Sequence, residues 1–400
     1  MWTELLGALQ SLLLSVSMLA ITVLVGARPT LGSPQATVGG SGADTGLPPT
    51  ETLRLQETTV FASTRPTAFR GGSHCDSEGD AFVEFARLVG NPLHVEPSSS
   101  ISEVVPDGKR IVVYGGTQLS PSDYPNSRLT DFSVLPNGVL YALIFTRRDA
   151  PSQGSRPEAQ YYIERFKDDG TMDSITAIHA PPGIAHWYAD LLGAFPDGNF
   201  LIVGTSTASA GEPSASSWRP FTAIYDPTGR FVAEVTLPDD VANDSNKSGS
   251  GLPRSAGGKA SKPQQYFEVA ITTGGVVNGP DGNVWILRAS DPLRLYAVNS
   301  SGLVTQHFKV SPPAPELEPS GFGFANSAQI FFNFGHFGGG SSSDLVGLFS
   351  AFSGRFDALY SLPDTEKGFR TLACSDGNGG FFYLGSTPDN HLAVFDYASR

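Results

Sequence analysis

Apolar and polar positions alternate in short segments along most of the chain after residue 54. Four stretches repeat one order: an apolar segment, a tight turn, an alternating strand, a second strand ending in an aromatic residue, a turn closed by Gly, and a last strand. These stretches cover residues 129–178, 188–237, 268–310 and 322–362. Alternation with a period of two predicts β-strands. Each stretch therefore predicts a four-stranded antiparallel meander, whose strands we letter a to d in chain order.

Short turns separate the predicted strands. Pro-Asn-Gly at 136–138 and Pro-Asp-Gly-Asn at 196–199 and 280–283 join strands a and b. Proline presets φ, and Gly or Asn accepts a positive φ, so these sequences favour tight hairpins. Turns of similar composition join strands c and d at 168–170, 226–229, 299–302 and 353–354.

The two ends of the repeat region complete the predicted architecture. Residues 371–398 predict strands a, b and c without a fourth strand, whereas 54–62 predict an isolated strand before a further repeat at 72–105. If the isolated strand supplies the missing one, the ring closes and no sheet edge is left open between its ends. The sequence thus predicts an all-β fold, a six-bladed β-propeller over residues 54–400, in which an N-terminal strand pairs with the C-terminal blade. Five or seven blades remain as alternatives, because 106–128 could contain part of another blade.

The N-terminal region has a different composition. Residues 5–27 carry no charge and are long enough for a membrane-spanning helix. They end in Val25-Gly26-Ala27, small residues of the kind that signal peptidase requires. We predict an apolar helix within residues 1–27 that is a signal peptide or, if uncleaved, a membrane anchor, followed by a disordered Gly/Pro/Ser/Thr linker at 28–53. Both alternatives place the propeller outside the cytoplasm, in the periplasm or secreted.

The charge balance bears on the class of partner. The chain has 39 acidic and 26 basic residues and a formal net charge of -13. A nucleic-acid-binding protein is expected to show a basic surface, so this composition argues against nucleic acid as a partner. We expect contact with a membrane only through the N-terminal segment, if that segment is uncleaved.

Antiparallel strand order separates two faces of the predicted ring. The a-to-b and c-to-d turns lie on one face and are short, whereas the b-to-c and d-to-a connections lie on the other and are long. The long connections are at 147–159, 179–188, 206–219, 238–265, 311–320 and 336–344. We call the two sides the short-turn face and the long-loop face. Binding residues concentrate on elaborated loops held by a rigid scaffold, so we predict that ligands bind at the long-loop face.

Several residues of that face are candidates for ligand binding. Aromatic and Arg side chains are the usual anchors of binding sites. The opposing interpretation is that each of them only caps the end of a strand. The candidates are His186, Trp187, Tyr188, Trp218, Arg219, His336 and Arg370.

A second set of polar residues is expected at the starts of the inner strands, near the mouth of the central channel. Carboxylate and amide oxygens that converge on one point can hold a hard cation such as Ca²⁺. The opposing interpretation is that inner strands begin with polar residues because the channel contains water. No other cofactor is predicted. The candidate ligands of such a metal are Asp131, Asp190, Glu268 and Asn326.

The two cysteines fall at matching places in the first and last predicted blades. Cys75 lies in the sequence HCDSEGD and Cys374 in ACSDGNG. These blades would be neighbours, and an oxidising compartment would permit a disulfide between them. The alternative is two buried thiols, because equivalent positions of adjacent inner strands can lie farther apart than a disulfide spans.

One repeat carries a family resemblance. Residues 279–310, with Pro-Asp-Gly-Asn, a Trp in strand b and a c strand ending in a Gly turn, resemble the NHL-type and streptogramin-lyase-like repeat, and blade three is similar. The resemblance implies the TolB-like six-bladed propellers, which include lactonases, calcium-dependent phosphotriesterases, lyases and binding proteins. The lyases' catalytic His pattern has no match here, so no catalytic residue is predicted.

Two functional hypotheses follow. The first is a binding or scaffold propeller that holds a protein, peptide or glycan on its long-loop face. It rests on long loops in a sequence without a G-x-S-x-G, H-E-x-x-H or P-loop motif. The alternative is a metal-dependent hydrolase or lyase, lactonase-like or streptogramin-lyase-like, with its site at the mouth of the channel.

Overall fold

The structure is a computed structural model of the chain. It describes residues 47–61, 68–89, 94–96, 100–105, 110–115, 127–148, 158–208, 218–238, 273–288, 293–336, 345–363, 370–389 and 391–399. The regular elements of these ranges are all strands. None of the described residues forms a helix with the length and hydrophobicity needed to cross a membrane. The predicted N-terminal helix and cleavage site lie outside the described residues.

The strands form six sheets, which we number as blades in chain order. Two strands precede blade one: β1 (Thr50–Thr52) and β2 (Arg54–Phe61). Blade one comprises β3 (Ala68–Cys75), β4 (Ala81–Val89), β5 (His94–Glu96), β6 (Ile101–Val105) and β7 (Arg110–Tyr114). Blade two comprises β8 (Arg128–Val134), β9 (Leu140–Arg148), β10 (Glu158–Phe166) and β11 (Met172–Ile178). Blade three comprises β12 (His186–Ala194), β13 (Phe200–Thr207), β14 (Arg219–Tyr225) and β15 (Phe231–Glu234).

The remaining blades follow the same order. Blade four comprises β16 (Thr273–Asn278), β17 (Val284–Arg288), β18 (Leu293–Val298) and β19 (Val304–Val310). Blade five comprises β20 (Leu317–Phe324), β21 (Gln329–His336), β22 (Leu345–Ser350) and β23 (Phe356–Ser361). Blade six comprises β24 (Arg370–Ser375), β25 (Gly380–Ser386) and β26 (Leu392–Ala398). Six sheets of four or five strands confirm the predicted six-bladed β-propeller.

The described strand of the region that left the number of blades open belongs to blade one. β7, within the stretch 106–128, pairs with β6 and is the outermost strand of that sheet. The predicted repeat at 72–105 therefore lacked its last strand, and no seventh sheet occurs among the described strands. β5 is an additional short strand, which pairs antiparallel with the last residues of β4.

The N-terminal strands join two different blades. β1 pairs in parallel with β23, the outer strand of blade five, and β2 pairs antiparallel with β26 of blade six. Leu53, between β1 and β2, donates its N–H to the Ser361 carbonyl at 2.9 Å, and its side chain is buried. The fold thus begins before residue 54, so the linker predicted for 28–53 extends too far.

The turns of the short-turn face also touch neighbouring blades. Gly229, in the c-to-d turn of blade three, has φ +78°, a conformation that favours glycine. A Cβ at this position would overlap the carbonyl oxygen of Ala177 on β11. The Gly229 carbonyl accepts a hydrogen bond from His179 N at 3.1 Å. This glycine therefore permits both the turn and the close approach of blade two.

Apolar side chains fill the space between neighbouring blades. The described residues form six buried clusters, one at each interface around the ring. The cluster between blades six and one includes Phe61 of β2, Val83 of β4 and Val394 of β26. Because burial of apolar area is the main favourable term in folding, each blade depends on both of its neighbours.

Every inner strand contains an irregularity in its pairing with strand b. The register shifts in β3, β8, β12, β16, β20 and β24. A bulge changes the side of the sheet on which the following side chains lie. The bulges thus change which side chains of each inner strand face the channel.

Candidate functional site

The long-loop face is described where strands enter and leave it. Much of its loops, including 149–157, 209–217, 239–272 and 337–344, lies outside the described residues. The start of β12 is the best described part, and it contains three of the predicted binding residues. These three side chains have different environments.

Trp187 is part of the core. Its ring centroid lies 4.8 Å from that of Tyr161 and 6.0 Å from that of Phe221. It packs against the cluster between blades two and three. His186 is half-buried, and its Nε2 has no hydrogen-bond partner among the described residues. Trp187 therefore has a structural role in the core, in line with the interpretation that opposed ligand binding.

Tyr188 and Trp218 form a stacked pair. Their ring centroids are 5.1 Å apart with an interplanar angle of 29°. Tyr188 is 47% exposed, whereas Trp218 is only 6% exposed. The buried Trp218 ring thus packs against the inner side of the exposed Tyr188 ring. The exposed Arg219 follows Trp218 at the start of β14, opposite Ser206. The structure thus brings two of the predicted binding residues, Tyr188 and Trp218, into one aromatic patch on blade three. Arg219 aligns through Ser206 with Trp187, on the other side of the sheet.

The other loop-face candidates lie elsewhere. The guanidinium carbon of Arg370 lies 3.8 Å from the ring centroid of Phe395 and 5.1 Å from that of Tyr397. Arg370 thus stacks on the aromatic rings of its own blade. His336 is the last residue of β21, where it pairs with Leu317. Neither residue belongs to the patch on blade three.

Two of the predicted metal ligands are carboxylates of adjacent inner strands. Asp131 Oδ2 accepts a hydrogen bond from Leu192 N at 2.8 Å, across blades two and three. Burial, together with the charges of Glu84 and Asp190, raises the Asp131 pKa to about 7, although two backbone hydrogen bonds oppose the shift. Asp190 is the bulged residue of β12, and burial raises its pKa to about 6 against the charge of Arg128. The two carboxylates thus lie on adjacent inner strands, and the charge of Asp190 contributes to the raised pKa of Asp131.

The other two predicted ligands do not join them. Asn326 lies in the a-to-b turn after β20, not at the start of an inner strand, so its predicted position is wrong. Its Oδ1 accepts hydrogen bonds from Ala328 N at 2.9 Å and Gln329 N at 3.0 Å, which stabilise that turn. Glu268 lies outside the described residues. Among the described residues, no group of three or more His, Cys, Asp or Glu side chains is arranged to hold a metal ion.

A cavity of about 370 Å³ opens at the short-turn end of the channel. Its walls come from the ends of the inner strands and the a-to-b turns of blades one, two, four, five and six. The polar side chains in its wall include His74, Asp76, Asn278, Ser375 and Asp376. Sequence reasoning missed this site, because it considered the turns on this face only as hairpin connections.

Asn278 links three blades at the wall of this cavity. Its Nδ2 donates to the Val134 carbonyl at 2.6 Å and to Ser133 Oγ at 2.9 Å. Its Oδ1 accepts a hydrogen bond from Ala194 N at 3.3 Å. Buried amide groups that satisfy their hydrogen bonds in this way hold neighbouring elements in one arrangement. The cavity is therefore bounded on this side by a fixed wall.

The two cysteines form a disulfide beside the cavity. Cys75 on β3 and Cys374 on β24 have a Cα–Cα distance of 5.9 Å, within the usual span of the bond. Ser73 Oγ also donates to the Ala373 carbonyl at 2.7 Å. Blades one and six are thus joined covalently and by hydrogen bonding at their inner strands.

Comparison with known proteins finds structural likenesses at low sequence identity. No family model and no curated protein matches the chain. A luciferin-regenerating enzyme of known structure is 11% identical, with a TM-score of 0.46 over 86% of this chain and 95% of that one. A protein of unknown function from Dyadobacter fermentans is 13% identical, with a TM-score of 0.45 over 87% and 99% of the two chains. A Hadza microbial sialidase is 10% identical, with a TM-score of 0.45 over 83% and 66%.

Proposed function

We propose that this protein is an extracytoplasmic binding or scaffold propeller that holds a protein, peptide or glycan on its long-loop face. The observation that carries the proposal is the exposed Tyr188 ring stacked on Trp218. Tyr, Trp and Arg are the residues most enriched at the centres of binding sites. The stacking holds the Tyr ring in place before a ligand arrives, which reduces the entropy lost on binding.

The disulfide supports the extracytoplasmic part of this proposal. Disulfides persist in oxidising compartments and are rare in the cytosol of most organisms. The uncharged segment at residues 5–27 provides a means of export in the sequence. On the motif in residues 279–310, we also propose a relationship to the TolB-like and NHL-type propellers.

The binding proposal can be tested with arrays of immobilised glycans and peptides, probed with the purified protein. For any ligand found, we expect Tyr188→Ala to weaken binding roughly ten-fold, the usual effect of losing one aromatic anchor. Phe352→Ala is a matched control, because Phe352 is 82% exposed in a c-to-d turn on the opposite face. Equal loss of binding in both variants, or no loss in either, would overturn the proposal.

A metal-dependent hydrolase or lyase is the second candidate function. Asp131 and Asp190 favour it, because half-buried carboxylates with raised pKa values on adjacent strands are common at functional sites. We expect a catalytic protein of this kind to retain a stoichiometric divalent cation after gentle purification and to lose turnover in Asp190→Asn. Elemental analysis without Ca²⁺, Zn²⁺ or Mg²⁺ would reject this candidate and leave the binding proposal intact.

A further inference from the structure

The cavity at the short-turn end of the channel has the size of a ligand site. Its volume of about 370 Å³ lies within the range of small-molecule pockets, roughly 300 to 1,000 Å³. It lies at the opposite end of the channel from the long-loop face, so its use does not depend on the proposed function. The chemistry of its wall indicates what kind of molecule fits.

His74 is a buried polar side chain in this wall. It is 9% exposed, and its ring lies 4.7 Å from that of Phe132. No hydrogen bond joins the imidazole to another residue in the described part of the chain. Burial lowers the His74 pKa to about 4, so the ring is neutral near pH 7 and keeps one nitrogen as an acceptor. A ligand that donates a hydrogen bond would satisfy a group that the protein leaves unsatisfied.

The charged side chains of the wall are all acidic. Asp76, Glu78 and Asp376 line the cavity, and its lining contains no Lys or Arg. Asp76 Oδ1 accepts hydrogen bonds from Glu78 N and Asp80 N, both at 2.9 Å, so its turn fixes its position. Asp376 Oδ1 likewise accepts from Asn378 N at 2.7 Å and Gly380 N at 2.8 Å. The cavity therefore favours a cation and disfavours an anion.

The apolar part of the wall favours an organic cation over a metal ion. The rings of Phe324 and Phe382 and the side chains of Val134 and Val277 line the cavity. A metal ion would gain nothing from these surfaces, and no cluster of metal-ligating side chains occurs among the described residues. An organic ammonium ion can contact both aromatic rings and carboxylates.

We propose that this cavity binds a small organic ammonium ion, with the cationic group near Asp76 and Asp376 and its apolar part against Phe324 and Phe382. A donor group of the same ligand faces His74. The short-turn face is thereby a second binding site, independent of the aromatic patch on blade three.

Three probes of nearly equal shape test the charge preference. Isothermal titration of the full protein at pH 7.5 would compare benzylammonium, benzyl alcohol and benzoate. We expect benzylammonium to bind with a dissociation constant of about 1 mM, as is usual for such a small ligand. Benzyl alcohol should bind roughly ten-fold more weakly because it lacks the charge, and benzoate should not bind. Equal binding of the three probes, or a preference for benzoate, would overturn the proposal.

Substitutions then locate the site. Asp76→Asn and Asp376→Asn keep the oxygen that caps each turn but remove the charge, and we expect each to weaken benzylammonium binding roughly three-fold, and the pair roughly ten-fold. Asp226→Asn is the matched control, because Asp226 caps a c-to-d turn on the same face but does not line the cavity. Tyr188→Ala should also leave the affinity unchanged.

Two results would reject the assignment. If Asp226→Asn reduces binding as much as Asp76→Asn and Asp376→Asn, the attraction is a general effect of the acidic surface. If Ca²⁺ binds stoichiometrically and displaces benzylammonium, the cavity is a metal site instead. Neither result would affect the proposal for the long-loop face, which the Tyr188→Ala comparison tests separately.

Discussion

The environment of Asp131 in the ring determines the protonation of its carboxyl group. Its carboxylate is held by the Leu192 N–H and lies near Glu84 and Asp190, two other acidic side chains. Burial and these charges both favour the protonated form, so the group is uncharged over part of the pH range in which ordinary carboxyls are ionised. Folding therefore becomes less favourable as this carboxyl loses its proton.

The pH dependence of stability tests this assignment. The Asp131 pKa is about 7 in the folded protein, whereas an unperturbed aspartate has a pKa of 3.8. The penalty from its ionisation is absent below pH 3.8, grows as pH rises, and is complete above about pH 7. We expect Asp131→Asn, which keeps an acceptor for Leu192, to be more stable than the wild type at pH 8 by a few kcal/mol, at about 1.4 kcal/mol per pKa unit. The difference should shrink toward pH 4.

Urea denaturation at both pH values, with a chelator present, measures this effect. Asp197→Asn is the control, because Asp197 lies exposed in a turn, where its Oδ1 accepts from Asn199 N. We expect a small change there that does not vary with pH. If Asp131→Asn instead lowers stability at pH 8, the ionised carboxylate stabilises the fold, and the assignment is wrong.

The limits of sequence reasoning are clear at this scale. Trp187 and Tyr188 are adjacent aromatic residues, and the sequence offered both as ligand-binding candidates. In the strand they point to opposite sides, so one enters the core and the other reaches solvent. The bulge at Asp190 then changes the side for the rest of β12. Neither the phase of the strand nor the bulge has a signal in the local sequence.

Among the elements, the segment formed by β1 and β2 has the largest structural role for its length. Its first strand pairs with blade five and its second with blade six. Leu53, between them, packs into the cluster at that interface with Tyr360 and Phe395. One short segment therefore holds two blades together at the outer rim.

A comparison of two leucines tests the contribution of this segment. Leu53 is 1% exposed and Leu55 is 42% exposed. We expect Leu53→Ala to lower the free energy of unfolding by about 2 to 4 kcal/mol, because it removes buried apolar groups and leaves a cavity. Leu55→Ala should change it by less than about 0.5 kcal/mol. If chemical denaturation gave equal losses of stability for Leu53→Ala and Leu55→Ala, the segment would contribute little to the interface between blades five and six.

Elements with local signals were predictable, and those without were not. The Pro-Asp-Gly-Asn turns and the alternating strands of blades two to four were located because their chemistry lies within a few residues. β1 was assigned to the linker, since Thr-Glu-Thr has no apolar alternation and becomes a strand only by pairing with β23. The sequence does not assign β7 to a blade, and its pairing with β6 makes it the outer strand of blade one.

At the scale of the whole molecule, the two ends of the channel differ in how far the sequence predicts them. The long-loop face was inferred from loop lengths, which can be counted along the chain. The cavity at the other end is lined by residues from five blades. No single repeat therefore contains all of its lining residues. A site assembled from residues far apart in the chain leaves little trace in any local pattern.

The disulfide gives a prediction for the whole ring. Thiol titration of the denatured, unreduced protein should find no free cysteine, since Cys75 and Cys374 are bonded. The bond encloses roughly 300 residues, and the chain-entropy model gives it about 6 kcal/mol. Reduction should therefore lower the midpoint of thermal unfolding, and the double variant Cys75→Ser with Cys374→Ser should match the reduced wild type. Two free thiols in the unreduced protein would contradict the bond.

The pairing of β2 with β26 also orders events in time during synthesis. β2 leaves the ribosome roughly 330 residues before its partner strand, a delay of about 15 to 70 s at usual rates of translation. During that interval it is a strand without its neighbour. Arg54, Gln56 and Glu57 are exposed along its first half, and the charges of Arg54 and Glu57 discourage pairing with a wrong edge. The polar composition of β2 thus limits wrong pairing during the time before β26 is synthesised.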